Sequence, residues 1–501
     1  MLGKLFRRRS YPRARPLRWE LTDELLRWSK DDAYTIRDAV EGTLILGATG
    51  SGKSSGSGRT IAVSMLDAGF GGLVLTAKAG ERALWESYCR ETNRSGDLAI
   101  VGADAAHRFN FLGHELNRQG EGGGLTENLV NLFSNVMEIR ERNAANGGGR
   151  EDGTFWKHGA LKLMRNAVDL VSLASGSLSV PDLVRAVLSA PQSPAQIRDK
   201  GYQQGSFNFL CLKEADRRVK TPRQQHDFGV VCDFFLLEWP NLAERTRSVI
   251  QATLMGWADM LNRGLLRELF CTDTTITPEA VEEGKIILID LPVKEFGEVG
   301  QFAQVLFKYC FQRAIERRNV AASPRTAFLW ADEAQHFVTS YDMQFQTTCR
   351  AARVATVYLT QNVSNFYAAL GGGDKARAEA DSLFANLNTK LFHANGDAVN
   401  NEWAARLIGR SLQYLASGNS SYDADDQWTA ALGLDWFGHA GNTTAGFSET
   451  YEFEVQPREF TQLRTGGPAN DWMVDGIVFQ NGRVFKSSSR TWLKTSFRQR
   501  V

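Results

Sequence analysis

Cysteine is scarce in this chain. Six in 501 residues (Cys89, Cys211, Cys232, Cys271, Cys310 and Cys349) are too few for a disulfide scaffold, and no CxxC pair sets up a structural zinc site. Such sparse usage fits a reducing compartment. Long apolar runs are missing as well. A spanning helix needs about 20 mostly apolar residues. The longest charge-free window, residues 354–373 (VATVYLTQNVSNFYAALGGG), carries Gln361, Asn362, Asn365 and three terminal glycines. It reads as a buried strand followed by a polar turn, so the chain is expected to have no transmembrane segment. No apolar stretch follows the basic N-terminal run, so that run lacks the form of a secretory signal. Internal repeats and sustained low complexity are absent, and the seven histidines are scattered without metal-ligand spacing.

What is present is ordinary for a folded protein: 43% apolar and 23% charged residues. The length predicts two to four domains, with ample chain for a large core. The 58 basic and 57 acidic residues balance to +1. Residues 1–18 hold seven of the basic residues and no acid, which leaves 51 basic against 57 acidic residues in the body. A basic tail on a mildly acidic body suits attraction to nucleic acid, anionic lipid or an acidic partner; a solvated terminus is the competing reading.

Short apolar runs of strand length recur at Thr43–Leu46, Gly72–Leu75, Ala99–Val101, Ile286–Asp290, Ala327–Ala331, Val354–Leu359 and Thr389–His393. Most are continuous rather than alternating, as in strands covered on both faces. Helical patterns such as Gln301–Arg318 lie between them, which predicts an α/β fold with a mainly parallel sheet. Residues 19–30 (WELTDELLRWSK) have helical spacing. From about 115 to 245 the rhythm changes to helical periodicity at Leu125–Arg142, Thr154–Leu173 and Val180–Leu188, with glycine clusters at 122–124 and 147–149. The expected organisation is a basic tail (1–18), a nucleotide-binding domain in two parts (19–114 and 246–501), and a mainly helical inserted domain (115–245). Residues 412–447, rich in Ser, Gly, Asn and Asp, should form a surface excursion.

Gly47-Ala48-Thr49-Gly50-Ser51-Gly52-Lys53-Ser54 fits GxxxxGK[ST] in full and follows the apolar run TLIL, with Ser54–Met65 able to continue as a helix. That strand–loop–helix setting is the one a phosphate-binding loop requires. Glycines let backbone N–H groups converge on phosphate oxygens at a helix N-terminus. Lys53 should reach the β- and γ-phosphates of ATP and the Ser54 hydroxyl should hold Mg²⁺, with Ser55 next to it. Hydrolysis also needs an acid at the end of a buried strand. The run Ala327–Ala331 ends in Asp332 and Glu333, the first suited to the metal and the second to polarising the attacking water as general base. Ile286–Asp290 is a rival strand ending in an acid, but Pro292 follows and no second carboxylate adjoins. Arg350 and Arg353 are candidates for an arginine that neutralises transition-state charge in a neighbouring subunit. Gln361, at the end of the next apolar strand, is a candidate γ-phosphate sensor.

In this order the motifs resemble the conjugative coupling proteins of type IV secretion, the VirD4/TraD/TraG group, within the FtsK/HerA class of RecA-like motors. GTLILGATGSGKSSGSG is similar to the family's first motif, and FLWADEAQHF to its Walker B strand. GLVLTAKAGE resembles the second strand and its loop, usually close to D-P-K-G-E; here the loop is Thr76–Glu81, with no Asp and one residue more, a departure that leaves any role for Lys78 open. HRFNFLG at 107–113 is similar to the family's F-N-P-L, with Phe111 in place of Pro, and Phe155-Trp156 resembles a family FW pair. Arg350, TQN at 360–362 and the stretch 383–409 match later family positions, so the likeness is colinear over roughly 40–410. It implies a RecA-like nucleotide-binding domain plus an all-α domain, assembled as a homo-hexameric ring with ATP and Mg²⁺ between subunits. It also implies DNA, or a relaxase–DNA complex, delivered to a type IV secretion channel from the cytoplasmic side of a bacterial inner membrane. The family usually begins with transmembrane helices, which are not seen here. A HerA- or VirB4-like ATPase of DNA processing, defence or protein export is a second reading, and a nucleotide-gated cargo receptor a third.

Overall fold

The computed structural model describes residues 19–144, 152–421 and 442–499. The basic run 1–18, the glycines 147–149 and the centre of the Ser/Gly/Asn-rich excursion (422–441) lie outside the described residues.

A nine-stranded sheet organises the chain. Its strands are β3 (Thr43–Leu46), β4 (Gly71–Leu75), β5 (Leu98–Gly102), β6 (Ile286–Asp290), β7 (Ala327–Ala331), β8 (Val354–Thr360), β9 (Thr389–Phe392), β12 (Met473–Gln480) and β13 (Trp492–Arg498). They stand in the order β13-β12-β9-β3-β8-β7-β4-β6-β5. The seven strands from β9 to β5 run parallel, and β12 and β13 extend the sheet antiparallel. Each apolar run expected from the sequence forms one of the parallel strands. Their continuous hydrophobicity has a direct cause. In β3, Leu44 and Leu46 face one core and Ile45 the other, all with no exposure. Both faces of the sheet are thus covered by helices, and the α/β fold follows.

The segment 19–30, expected as a helix, instead contains β1 (Glu24–Arg27), which pairs antiparallel with β2 (Ala33–Thr35). Its apolar residues serve a tertiary contact. Trp28 packs on Tyr34 at 5.0 Å and on Phe497 of β13 at 6.2 Å between ring centroids, and Leu25 joins the same core. Packing of this kind decides strand against helix in short segments. Strands β12 and β13 also escaped the sequence reading: Asp475 and Gly476 interrupt the apolar run of β12, and β13, at the sheet edge, buries only Leu493 and Phe497.

Between β5 and β6 the described chain is helical, from Phe111–Asn117 through Asp152–Ser175 to Gly264–Phe270. No single described helix is long and apolar enough to cross a membrane. The excursion around 412–447 begins and ends in a two-stranded antiparallel arm, β10 (Arg410–Ser421) with β11 (Asn442–Phe453).

Candidate functional site

The loop 47–53 leaves β3 at the centre of the sheet, where its neighbours are β8 and β9. Ligands of parallel α/β sheets bind at the carboxyl ends of the strands, as this loop is placed to do. Its base is tied to both neighbours: the Gly47 N–H donates to Thr360 O (3.3 Å) and the Ala48 N–H to Ala394 O (3.0 Å). Gly50 and Gly52 have φ of +76° and +84°, values that favour glycine. A Cβ on Gly52 would also meet Val474 of β12 at 2.4 Å. The chain then enters a π-helical turn, Ser54–Gly58, before the α-helix Arg59–Asp67. The Gly58 N–H reaches Lys53 O at 2.8 Å, and a Cβ there would lie 2.9 Å from the same oxygen.

Ser54 decides which acid belongs to this loop. Its hydroxyl donates to Asp332 Oδ2 at 2.7 Å, across 278 positions of sequence. The rival Asp290 is held by Arg82 at 3.0 Å. A hydroxyl beside a carboxylate is an oxygen donor set that suits Mg²⁺. The Ser51 hydroxyl within the loop is buried with no partner of its own, as expected of a cradle shaped for a polar ligand. The set therefore fits a nucleotide phosphate with its magnesium. Ser55 is nearby, and its hydroxyl accepts from Gln499 Nε2 at 2.7 Å.

Glu333 is the most constrained residue of the site. Its backbone is left-handed (φ 51°, ψ 49°), which costs a non-glycine residue on the order of 1 kcal/mol or more. Its N–H donates to Asp332 Oδ1 at 2.9 Å, so the two acids are locked in different directions. Its side chain is only 3% exposed. Oε1 accepts from Lys78 Nζ at 2.6 Å and Gln361 Nε2 at 3.3 Å, and Oε2 accepts from Gln335 Nε2 at 3.0 Å. Lys53 Nζ stands 3.9 Å from Oε1. Burial pushes the carboxyl up, but the hydrogen bonds from Gln335 and Lys78 and the charges of both lysines outweigh it and hold the group down at about 2. Glu81 behaves oppositely: burial and the nearby Asp332 charge push its carboxyl up to about 8, while its Oε2 accepts from the Ala77 N–H at 2.7 Å.

The structure thus brings Lys53, Ser54, Asp332, Glu333 and Gln361 together. Arg350 is placed elsewhere. It precedes β8, at the opposite end of the sheet from the loop, with a side chain 56% exposed and 3.4 Å from Glu41. The guanidinium of Arg353 is bound to the Trp19 carbonyl. Sequence reasoning missed Gln335, which also accepts from Thr360 Oγ1 at 2.9 Å; its position two residues past Glu333 was the available signal. It also missed the brace behind the loop. Deep in the core, Lys308 and Asp342 form an ion pair, and Lys308 Nζ donates to Phe337 O at 2.6 Å. That contact pins the segment that follows Glu333.

His393, at the end of β9, was missed too. Its Nδ1 lies 2.8 Å from Asp475 O, a pure acceptor, so Nδ1 carries the proton and Nε2 accepts from the Ser57 hydroxyl at 2.6 Å. Complete burial pushes the imidazole down to about 4. Since the folded value lies below the ordinary 6.5, the neutral ring contributes stability in full above pH 6.5, and this is lost as pH falls toward 4. The loss expected is on the order of 3 kcal/mol. The gap between denaturant midpoints at pH 7 and pH 4 should therefore be smaller for His393→Gln than for the wild type. Parallel curves for the two proteins would show that His393 does not titrate in this way.

Comparison with known proteins bears on the fold. No protein-family model and no curated protein matches the sequence. Among solved structures, the chain is similar to the bacterial conjugative coupling protein TrwBΔN70 in an unbound form, with a TM-score of 0.56 and 13% identity over 96% of this chain and 91% of that one. It is similar to the plasmid coupling protein TrwB in complex with a non-hydrolysable ATP analogue (TM-score 0.55, 13% identity, 94% and 88% covered). The TrwB complex with ADP and Mg²⁺ matches with a TM-score of 0.54 at 13% identity, 94% and 88% covered. The chain therefore shares its α/β fold, of the RecA-like P-loop type, with the coupling protein TrwB over nearly its whole length.

Proposed function

We propose that this protein is an ATP-hydrolysing motor that recruits DNA, or a relaxase–DNA complex, and drives it to a type IV secretion or conjugation channel. The observation that carries the reading is the 2.7 Å contact between Ser54 and Asp332, which joins a complete phosphate loop to a strand-end acid. The backbone of residues 47–53 cradles the phosphates and Lys53 draws the terminal ones in. Ser54 and Asp332 hold Mg²⁺, which when bound neutralises charge on the phosphate oxygens. Glu333 orients the attacking water and takes its proton, and Gln361 ties that carboxylate to the end of β8. Six subunits form the working ring at the cytoplasmic face of the membrane, with the helical segment 115–245 selecting the cargo. The all-α segment, the two parallel acid-bearing strands and the fold shared with TrwB support this reading.

The test is ATP turnover with and without single- and double-stranded DNA over a range of salt, with mass in solution measured alongside. Turnover should rise with DNA, and the rise should fall steeply with salt, because releasing counterions into more concentrated salt gains less free energy. Lys53→Ala should weaken ATP binding at least about tenfold, the loss of one charge-assisted contact or more, and remove the stimulated activity. Turnover indifferent to DNA throughout would reject the DNA motor. Co-purification with a nuclease in place of a relaxase would favour the HerA- or VirB4-like reading.

A further inference from the structure

The loop after β4 holds a lysine that the phosphate-loop logic does not use. Register explains how it arrives at the site: Leu75 of β4 pairs with Ala331 of β7, so the chains leaving the two strands emerge side by side. The backbone of this loop is fixed. Thr76 N–H donates to Gln304 Oε1 at 2.6 Å, the Thr76 hydroxyl to Ile289 O at 2.7 Å, and the Lys294 N–H to Ala77 O at 3.0 Å. The long Lys78 side chain is 44% exposed, against 3% for the Glu333 it touches. It stands at the mouth of the site. Its Nζ is 2.6 Å from Glu333 Oε1, the same oxygen that faces Lys53 and Gln361. Oε1 thus accepts two hydrogen bonds and Oε2 one, from Gln335, so release of Lys78 opens a place on Oε1 for a water.

We propose that Lys78 is a nucleotide-sensing clamp: without ATP it holds Glu333 Oε1, and with ATP it transfers to γ-phosphate oxygens beside Lys53 and frees the carboxylate for water. A lysine suits this exchange, because a compact ammonium on a flexible stem can move between two anions without a fixed geometry. ADP lacks the group to which Lys78 would move, so the clamp closes again after hydrolysis. Lys78 is then a positioning residue for Glu333 and a direct contact for the third phosphate. The inference rests on the reading of residues 47–54 as an ATP site.

Nucleotide affinity separates the two. With Glu333 in place, affinities for a non-hydrolysable ATP analogue and for ADP are measured with Mg²⁺ by titration calorimetry for Lys78→Met, Lys78→Arg and Lys53→Ala. Lys78→Met should lose about tenfold in ATP affinity, as expected for one charge-assisted contact, and less than twofold for ADP. Lys78→Arg should recover most of the loss. An equal loss for both nucleotides, or no loss for either, overturns the clamp while Lys53→Ala still abolishes tight binding. If Lys53→Ala binds both nucleotides as well as its parent, the ATP site itself is misread.

Discussion

Arg350→Ala is expected to reduce ATP turnover by the assembled protein about 10³- to 10⁵-fold, the range of an arginine that neutralises charge on a transferring phosphoryl group. Within one subunit the effect has no explanation, because Arg350 lies at the end of the sheet opposite the phosphate loop. Thr43 of β3 aligns with Val357 and Leu46 with Thr360, so the start of β8 and the Arg350 before it extend away from Lys53. The arginine borders a cleft of about 610 Å³ that also includes Arg37, Glu41 and Arg483. Its partner there is one half-buried carboxylate, Glu41. In the proposed ring, this half-exposed guanidinium would be the group that meets a neighbour's triphosphate. Arg350→Ala should leave ATP binding intact. Mixed with Lys53→Ala subunits it should regain part of its activity, since each variant supplies what the other lacks at a shared site. Full turnover by Arg350→Ala alone, or no recovery in mixtures that assemble, would remove the arginine from the reaction.

Glu333→Gln should keep ATP binding and slow hydrolysis by at least about 10²-fold, the loss typical of a general base. The substitution preserves size, and the contact to Asp332 Oδ1 is made by the backbone N–H, so the left-handed backbone has no reason to change. It removes the charge that Lys53 and Lys78 face and the capacity to accept a proton. Asp332→Asn would act differently, by weakening Mg²⁺ retention through the Ser54 pair. Single-turnover hydrolysis with saturating ATP checks the assignment: a normal rate in Glu333→Gln would place the base at another residue.

Much of the scaffold was legible because buried parallel strands have a strong local cause. Both faces of Thr43–Leu46, Ile286–Asp290 and Ala327–Ala331 must be apolar, and each appears as an uninterrupted apolar run of the observed length. The phosphate loop was legible for a similar reason, since the glycines at positive φ and the lysine are consecutive. Residues 19–30 misled because Trp28 answers to Tyr34 and Phe497 and Trp19 to Phe70 rather than to the periodicity of their own segment. Lys78 gave only a partial signal, a lysine in a loop that departs from D-P-K-G-E; its contact with Glu333 depends on what the adjacent strand delivers.

By itself, then, the amino-acid order determined the parallel α/β sheet, the phosphate loop and the pair of acids, because backbone sterics and apolar burial act over a few neighbouring residues. The tertiary structure alone decided that Ser54 takes Asp332 and not Asp290, that Lys78 and Gln335 close on Glu333, and that Arg350 turns away from its own site. Those outcomes depend on strand order and register, which join side chains hundreds of positions apart.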